Sequence, residues 1–155
     1  KLIRKILMAR PIYESKSDLI RENAVIDEFC GMHKLEKQKL PFTQKIDFAC
    51  YKKKRIVVFV EVKCRVFNMN KYQTMFVNLD KVQAARNLSA LTSVKTLLLV
   101  CWSDVMGYID FNSDFDVQLG GRTDRKDVLD FGVVAHYPIS KFKLIGTSPI
   151  IRGNK

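Results

Sequence analysis

The chain has 155 residues, 47% of them hydrophobic, enough to enclose one sizeable core and too few to suggest two. Lys and Arg number 27 against 16 Asp and Glu, a net charge of +11 that favours polyanionic partners through phosphate neutralisation and counterion release. The longest apolar runs, Ile56 to Val62 and Thr96 to Trp102, fall far short of the ~20 residues that a spanning helix needs, which argues against a membrane protein.

Residues 1 to 12, "KLIRKILMARPI", resemble a short basic leader, but Arg4, Lys5 and Arg10 break the apolar stretch, so it reads as an amphipathic arm. A helix is expected from about residue 17 to 30, with Ser15 or Ser17 as N-cap and Gly31 at the C-terminal cap. Its apolar stripe is Leu19, Ile26 and Phe29, and Glu22 falls between them at helical spacing, a carboxylate on the core-facing side. "LEKQKLP" then suggests a short edge strand ended by Pro41.

"KIDFACYKKKRIVVFVEVKCRVF" has the pattern of a hairpin, with strands at about 45 to 52 and 55 to 67 joined by a Lys/Arg turn. "NMNKYQTMFVN" reads as a loop or a short extended piece. "NLDKVQAARNLSALT" offers Asn78 or Asp80 as a cap, with Leu79, Val82, Ala85, Leu88 and Leu91 at helical spacing. "VKTLLLVCW" is a buried strand and "GYIDF" extends the sheet. "NSDFDVQLGGRTDRKD" is loop-like around Gly120-Gly121, and "GVVAHYPISKFKLI" adds one more strand and a terminal piece. The order helix, three strands, helix, strand and β-rich tail predicts an α/β fold with a small mixed sheet.

Cys30, Cys50, Cys64 and Cys101 are scattered singly, and His33 and His136 are the only histidines, so a zinc site is not expected and both histidines read as bystanders. Three of these cysteines sit in apolar strand-like runs, where a reduced thiol behaves as a small hydrophobe; an intracellular, cytoplasmic protein follows.

The long strand carries the chemistry. Side chains alternate, so Val57, Phe59, Glu61 and Lys63 share one face while Val58, Val60, Val62 and Cys64 share the other. A three-residue turn, Lys53 to Arg55, would set Asp47 directly opposite Glu61; a two-residue turn would oppose Asp47 to Val60. In the first register two carboxylates meet beside a lysine, with Glu22 directed to the same core. Their mutual repulsion calls for a cation, and Mg²⁺ suits the need because it takes one or two carboxylates and keeps water or phosphate oxygens in its other positions.

Asp47, thirteen intervening residues and Glu61-Val62-Lys63 resemble the signature of the PD-(D/E)XK nuclease superfamily, with Ile46 where the motif's often relaxed proline would stand. The element order over roughly residues 15 to 104 is similar to that superfamily's restriction-endonuclease-like αβββαβ core, leaving 105–155 as a β-rich extension of a single domain, 1–155. A helix glutamate before the acidic pair is a trait of the Holliday-junction-resolvase-like and phage-encoded members.

The resemblance implies that Asp47, Glu61 and the Val62 carbonyl hold Mg²⁺, with Mn²⁺ as a substitute. Lys63 would orient or deprotonate the attacking water or stabilise charge on phosphate, and Glu22 would complete the metal shell or bind a second ion. From the following helix Gln83 or Lys81 would face the site, Gln83 matching the family pattern better. Lys52, Lys53, Lys54 and Arg55, together with Lys81, Arg122 and Arg125, are candidates for phosphate contact, although a charged turn is equally a solvated surface.

The resulting expectation is a Mg²⁺-dependent nuclease hydrolysing DNA, an endonuclease rather than an exonuclease, selecting structure rather than sequence, and phage-like in style. Rival readings are a noncatalytic nucleic-acid-binding module on the same fold and an RNA-directed nuclease. Oligomeric state is open: an exposed edge strand at 35 to 41 could pair in a homodimer, as the resemblance to junction-resolving nucleases implies.

Overall fold

The computed structural model describes residues 15–121 and 131–150. In chain order the elements are α1 (Lys16–His33), β1 (Glu36–Lys39), β2 (Phe48–Lys52), β3 (Arg55–Cys64), β4 (Thr74–Asn78), α2 (Leu79–Thr92), β5 (Thr96–Cys101), β6 (Val105–Asp110), β7 (Asp116–Gly121), β8 (Phe131–Pro138) and β9 (Lys143–Thr147). The basic arm at 1 to 12 lies outside the described residues, as do Arg122 and Arg125.

Six strands form a mixed sheet in the order β1-β2-β3-β5-β6-β9, and β4-β8-β7 form a second sheet. Only β3 and β5 run parallel; α2 and β4 lie in the crossover between them. Each face of the large sheet is covered. On one side α1 contributes Val25, Ile26, Phe29 and Cys30 against Phe48, Val58, Val60, Val62, Leu97 and Leu99. On the other side α2 and the second sheet bring Val82, Ala85, Met75, Val77, Ala135 and Tyr137 against Ala49, Phe59, Leu98, Val100 and Phe111. Coverage on both faces explains why β5 is apolar at nearly every position instead of alternating.

The ends of α1 follow from local chemistry. Ser15 Oγ accepts from the Asp18 N–H at 3.2 Å while Asp18 Oδ2 accepts from the Ser15 N–H at 3.0 Å, a reciprocal capping box. The helix does not stop at Gly31 as its sequence suggests. It runs on to His33 and closes at Lys34, which takes the left-handed conformation at φ 53°, because Leu35 N–H bonds back to the Cys30 carbonyl at 2.9 Å and the His33 ring packs on Phe29.

One open reading is decided and one expectation is corrected. Residues 74–78, read as a loop or short extended piece, form β4 and pair with β8; residues 116–121, read as loop, form β7 on the other side of β8. The apolar signal of β7 is weak because most of its residues are exposed, so its order comes from the ladder with β8. Residues after 104 also join the large sheet, since β6 pairs with β5 and β9 with β6. Among the described residues no helix is long and apolar enough to cross a membrane.

Candidate active site

The hairpin resolves the register question in a way neither simple turn anticipates. Lys53 and Lys54 make a two-residue turn with φ of 49° and 62°, pairing Lys52 with Arg55 and Tyr51 with Ile56. A bulge between Cys50 and Tyr51 then admits one extra residue, Val57, on β3, and the ladder resumes as Cys50–Val58, Ala49–Phe59 and Phe48–Val60. Continued by one step, this register places Asp47 beside Glu61. It also sets Phe59 and Glu61 on the α2 face, with Val58, Val60 and Val62 under α1.

The ladder with β2 ends at Val60, so the next stretch of β3 has an open edge. On the opposite edge Phe59 N–H bonds to the Lys95 carbonyl and Arg65 N–H to the Cys101 carbonyl, so odd-numbered residues turn their backbone toward β5. Even-numbered Val62 therefore turns both N–H and C=O to the open edge. Its N–H is taken by Asp47 Oδ2 at 2.9 Å, which anchors that carboxylate although Asp47 precedes β2. Leu40 N–H bonds to the Asp47 carbonyl at 2.8 Å and closes the loop that delivers it.

Glu61 is fully buried, and neither of its carboxylate oxygens receives a directed hydrogen bond. Two ammonium groups approach Oε1 instead, Lys63 Nζ at 3.1 Å and Lys81 Nζ at 3.0 Å. Burial pushes the Glu61 carboxyl above its usual range; Lys63 and Lys81 oppose that shift and Asp47 adds to it. For Lys63, burial works against the charged form, yet the carboxylates of Glu61 and Asp47 outweigh it and hold the ammonium above its ordinary value.

Glu22 joins this group from the α1 side. Lys39 Nζ lies 3.2 Å from Glu22 Oε2 and 3.4 Å from Asp47 Oδ1, with its charge over the Phe48 ring at 4.8 Å to the centroid. Three carboxylates are thus interleaved with three lysines, Lys39, Lys63 and Lys81. Lys39 was missed by sequence reasoning because it lies on an exposed edge strand; the one signal was its place in β1, which pairs with the strand leading from Asp47.

Of the two candidates on α2, Lys81 reaches Glu61 and also donates to the Lys45 carbonyl at 2.6 Å, whereas Gln83 is exposed. Two positions apart on a helix, they point to different faces. Lys52, Lys53, Lys54 and Arg55 lie at the turn, about 20 Å along β3 from Glu61 at the strand rise of ~3.3 Å per residue. The fold does not bring that charge run to the carboxylates.

Among the described residues no three His, Cys, Asp or Glu side chains gather into a ready-made metal cluster. The donor set nevertheless fits a hard divalent ion of the Mg²⁺ kind, which needs only one or two carboxylates: Glu61 has two buried oxygens without directed donors, Asp47 is anchored by one oxygen, and Val62 C=O faces the open edge.

A buried acidic residue and lysine at the open end of a mixed-sheet strand, with an aspartate clipped beside them, define the arrangement of a PD-(D/E)XK nuclease. The family described as "Phage putative PDDEXK endonuclease" matches residues 8–145, and the chain belongs to that family. Among solved structures, Hjc, a Holliday junction resolvase of the archaeal hyperthermophile Archaeoglobus fulgidus, is similar to this chain in fold. The superposition has a TM-score of 0.52 at 10% identity and covers 81% of this chain and 92% of that one. No curated protein sequence matches.

Proposed function

We propose that the protein is a divalent-metal-dependent endonuclease that hydrolyses DNA phosphodiesters and selects its substrate by structure. The observation that carries the reading is Glu61: a carboxylate at zero exposure, held between two lysine ammonium groups and next to a second, anchored carboxylate. Such a group costs stability unless a cation makes use of it.

Asp47, Glu61 and the Val62 carbonyl would hold the ion, Mg²⁺ or Mn²⁺. When bound it supplies Lewis-acid polarisation of the phosphoryl group and a water of lowered pKa. The chain's own residues do the rest. Val62 N–H fixes the Asp47 carboxylate, and Lys81 steadies Glu61 from the side of α2. The Lys63 ammonium, 3.1 Å from Glu61, would orient the attacking water or face the developing charge on phosphate. Glu22, tied to Asp47 through Lys39, would bind a metal-bound water or a second ion.

The net charge of +11 supports a nucleic-acid partner, and a phage setting inside a host cell is consistent with the family. A second copy would pair through β1, which is an outer strand of the large sheet.

Cleavage of single-stranded, duplex and branched DNA, with RNA alongside, would be measured in Mg²⁺, Mn²⁺ or EDTA for wild type, Asp47→Ala, Glu61→Ala and Lys63→Ala. The expected result is ion-dependent cleavage of DNA, strongest on branched substrates and reduced at least a thousandfold in each variant. Binding of DNA by wild type without cleavage in either ion would make the protein a noncatalytic module instead.

A further inference from the structure

Beside the carboxylate–lysine cluster, past the C-terminal ends of β3 and β5, lies a solvent-open cavity of about 310 Å³ lined by Arg21, Cys64, Arg65, Val66, Trp102 and Ser103 among others. Nothing in the cluster accounts for it. Arg21 comes from α1, one residue before Glu22, and Arg65 follows β3, two residues after Lys63. Both guanidinium groups act electrostatically on the Cys64 thiol, Glu22 opposes them there, and Arg65 also acts on Lys63. Arg21 and Arg65, from different parts of the chain, thus line one cavity, and Arg65 lies within electrostatic reach of the proposed catalytic lysine.

Apart from Ser103 the rest of the lining is apolar, so the two arginines are the charged residues of its wall. Arg65 Nη1 donates to the Cys64 carbonyl at 3.2 Å, which orients its planar head. Ser103 adds a hydroxyl, and the exposed Val66 gives the rim an apolar surface against which a sugar ring can rest. Guanidinium forks match the spacing of phosphate oxygens.

We propose that this cavity seats a phosphodiester adjoining the one that is cleaved, so that the DNA strand leaves the catalytic cluster past Arg65 and Arg21 and not toward the Lys52–Arg55 turn. The assignment of a neighbouring cleaved phosphate rests on the nuclease reading; the phosphate site itself does not.

The test is fluorescence anisotropy of one oligonucleotide, carrying either a 5′-hydroxyl or a 5′-phosphate, in EDTA across a salt series. Wild type would be run beside Arg21→Gln/Arg65→Gln, the charge-keeping Arg21→Lys/Arg65→Lys and the turn variant Lys53→Gln/Lys54→Gln, with circular dichroism to verify folding. The double Gln variant is expected to bind about tenfold more weakly, with a log–log salt slope shallower by about 1, while the double Lys variant keeps the slope and the turn variant changes both measures less. A double Gln variant that is folded and binds with wild-type affinity and slope would overturn the proposal. So would wild-type affinity that requires a 5′-phosphate, since the site would then belong to a strand end. Cleavage in Mg²⁺, run in parallel, separates the two readings. Arginine-dependent binding without cleavage sinks the nuclease and keeps the phosphate site; cleavage with an unchanged KM in the double Gln variant does the reverse.

Discussion

Glu61 is the residue on which most depends, and its environment fixes the sign of a pH effect. Its folded pKa is raised by burial, so above the ordinary value of 4.5 the native state retains a proton that the unfolded chain has released. Stability of the ion-free protein from this group is accordingly present below that value and falls as pH rises toward the folded value. Urea midpoints between pH 4.5 and 8 should show Glu61→Gln gaining on wild type as pH increases, and Mg²⁺, which needs the ionised form, should raise Tm more at the upper end than at the lower. The Lys63 contribution runs the usual way for a raised lysine, intact below its ordinary 10.5 and lost above the folded value, outside this window. A second contrast separates the two α2 candidates. Removing the half-buried Lys81 ammonium as Lys81→Met is expected to cost about 1 to 2 kcal/mol, whereas exposed Gln83→Ala should stay within about 0.5 kcal/mol, both read from denaturant unfolding. Glu61 and Lys63 drew attention in the sequence because a charged pair inside an apolar strand violates the pattern around it, whereas the place of Asp47 beside them hung on a register that sequence left open. Lys39 and Lys81 were harder to assign, since a lysine on an edge strand or a helix flank is ordinary until the fold shows what it faces.

At the scale of elements, the hairpin shows where local rules were informative and where they stopped. The alternation along β3 predicts which side chains share a face, but the side on which Asp47 meets β3 depends on a bulge that leaves no composition signal: Val57 is one valine among several. The turn is costlier than it needs to be, because Lys53 and Lys54 both hold positive φ where Asn and Gly are at ease. Lys53→Asn/Lys54→Gly should therefore stabilise the protein by about 1 kcal/mol in urea unfolding without altering cleavage, since the turn lies at the far end of β3 from Glu61. Both helices and the central β5 were readable from periodicity and apolar runs. β4 and β7 were not, because short strands in a half-exposed sheet draw their order from β8, distant in sequence.

Across the whole molecule, the second sheet shares one buried cluster with the large one, through Met75, Val77, Ala135 and Tyr137 against Leu98, Val100 and Phe111, and Tyr137 Oη donates to the Phe111 carbonyl at 2.9 Å. The two sheets should melt together: fluorescence of the single tryptophan, Trp102 in that same cluster, and far-UV circular dichroism are expected to give superimposable denaturation curves. The four thiols have a practical consequence. Cys30, Cys50 and Cys101 are buried, Cys64 is half-buried, and burial raises all four. At neutral pH each is almost wholly protonated and slow toward maleimides. A cysteine placed at the turn, as Lys53→Cys, should thus take up one fluorophore per chain by mass spectrometry in a Cys64→Ala background, which removes the one native thiol that lines an open cavity. Because the dye would ride on the end of β3 remote from Glu61, a labelled protein could be watched landing on DNA without a tag standing in its own cleft.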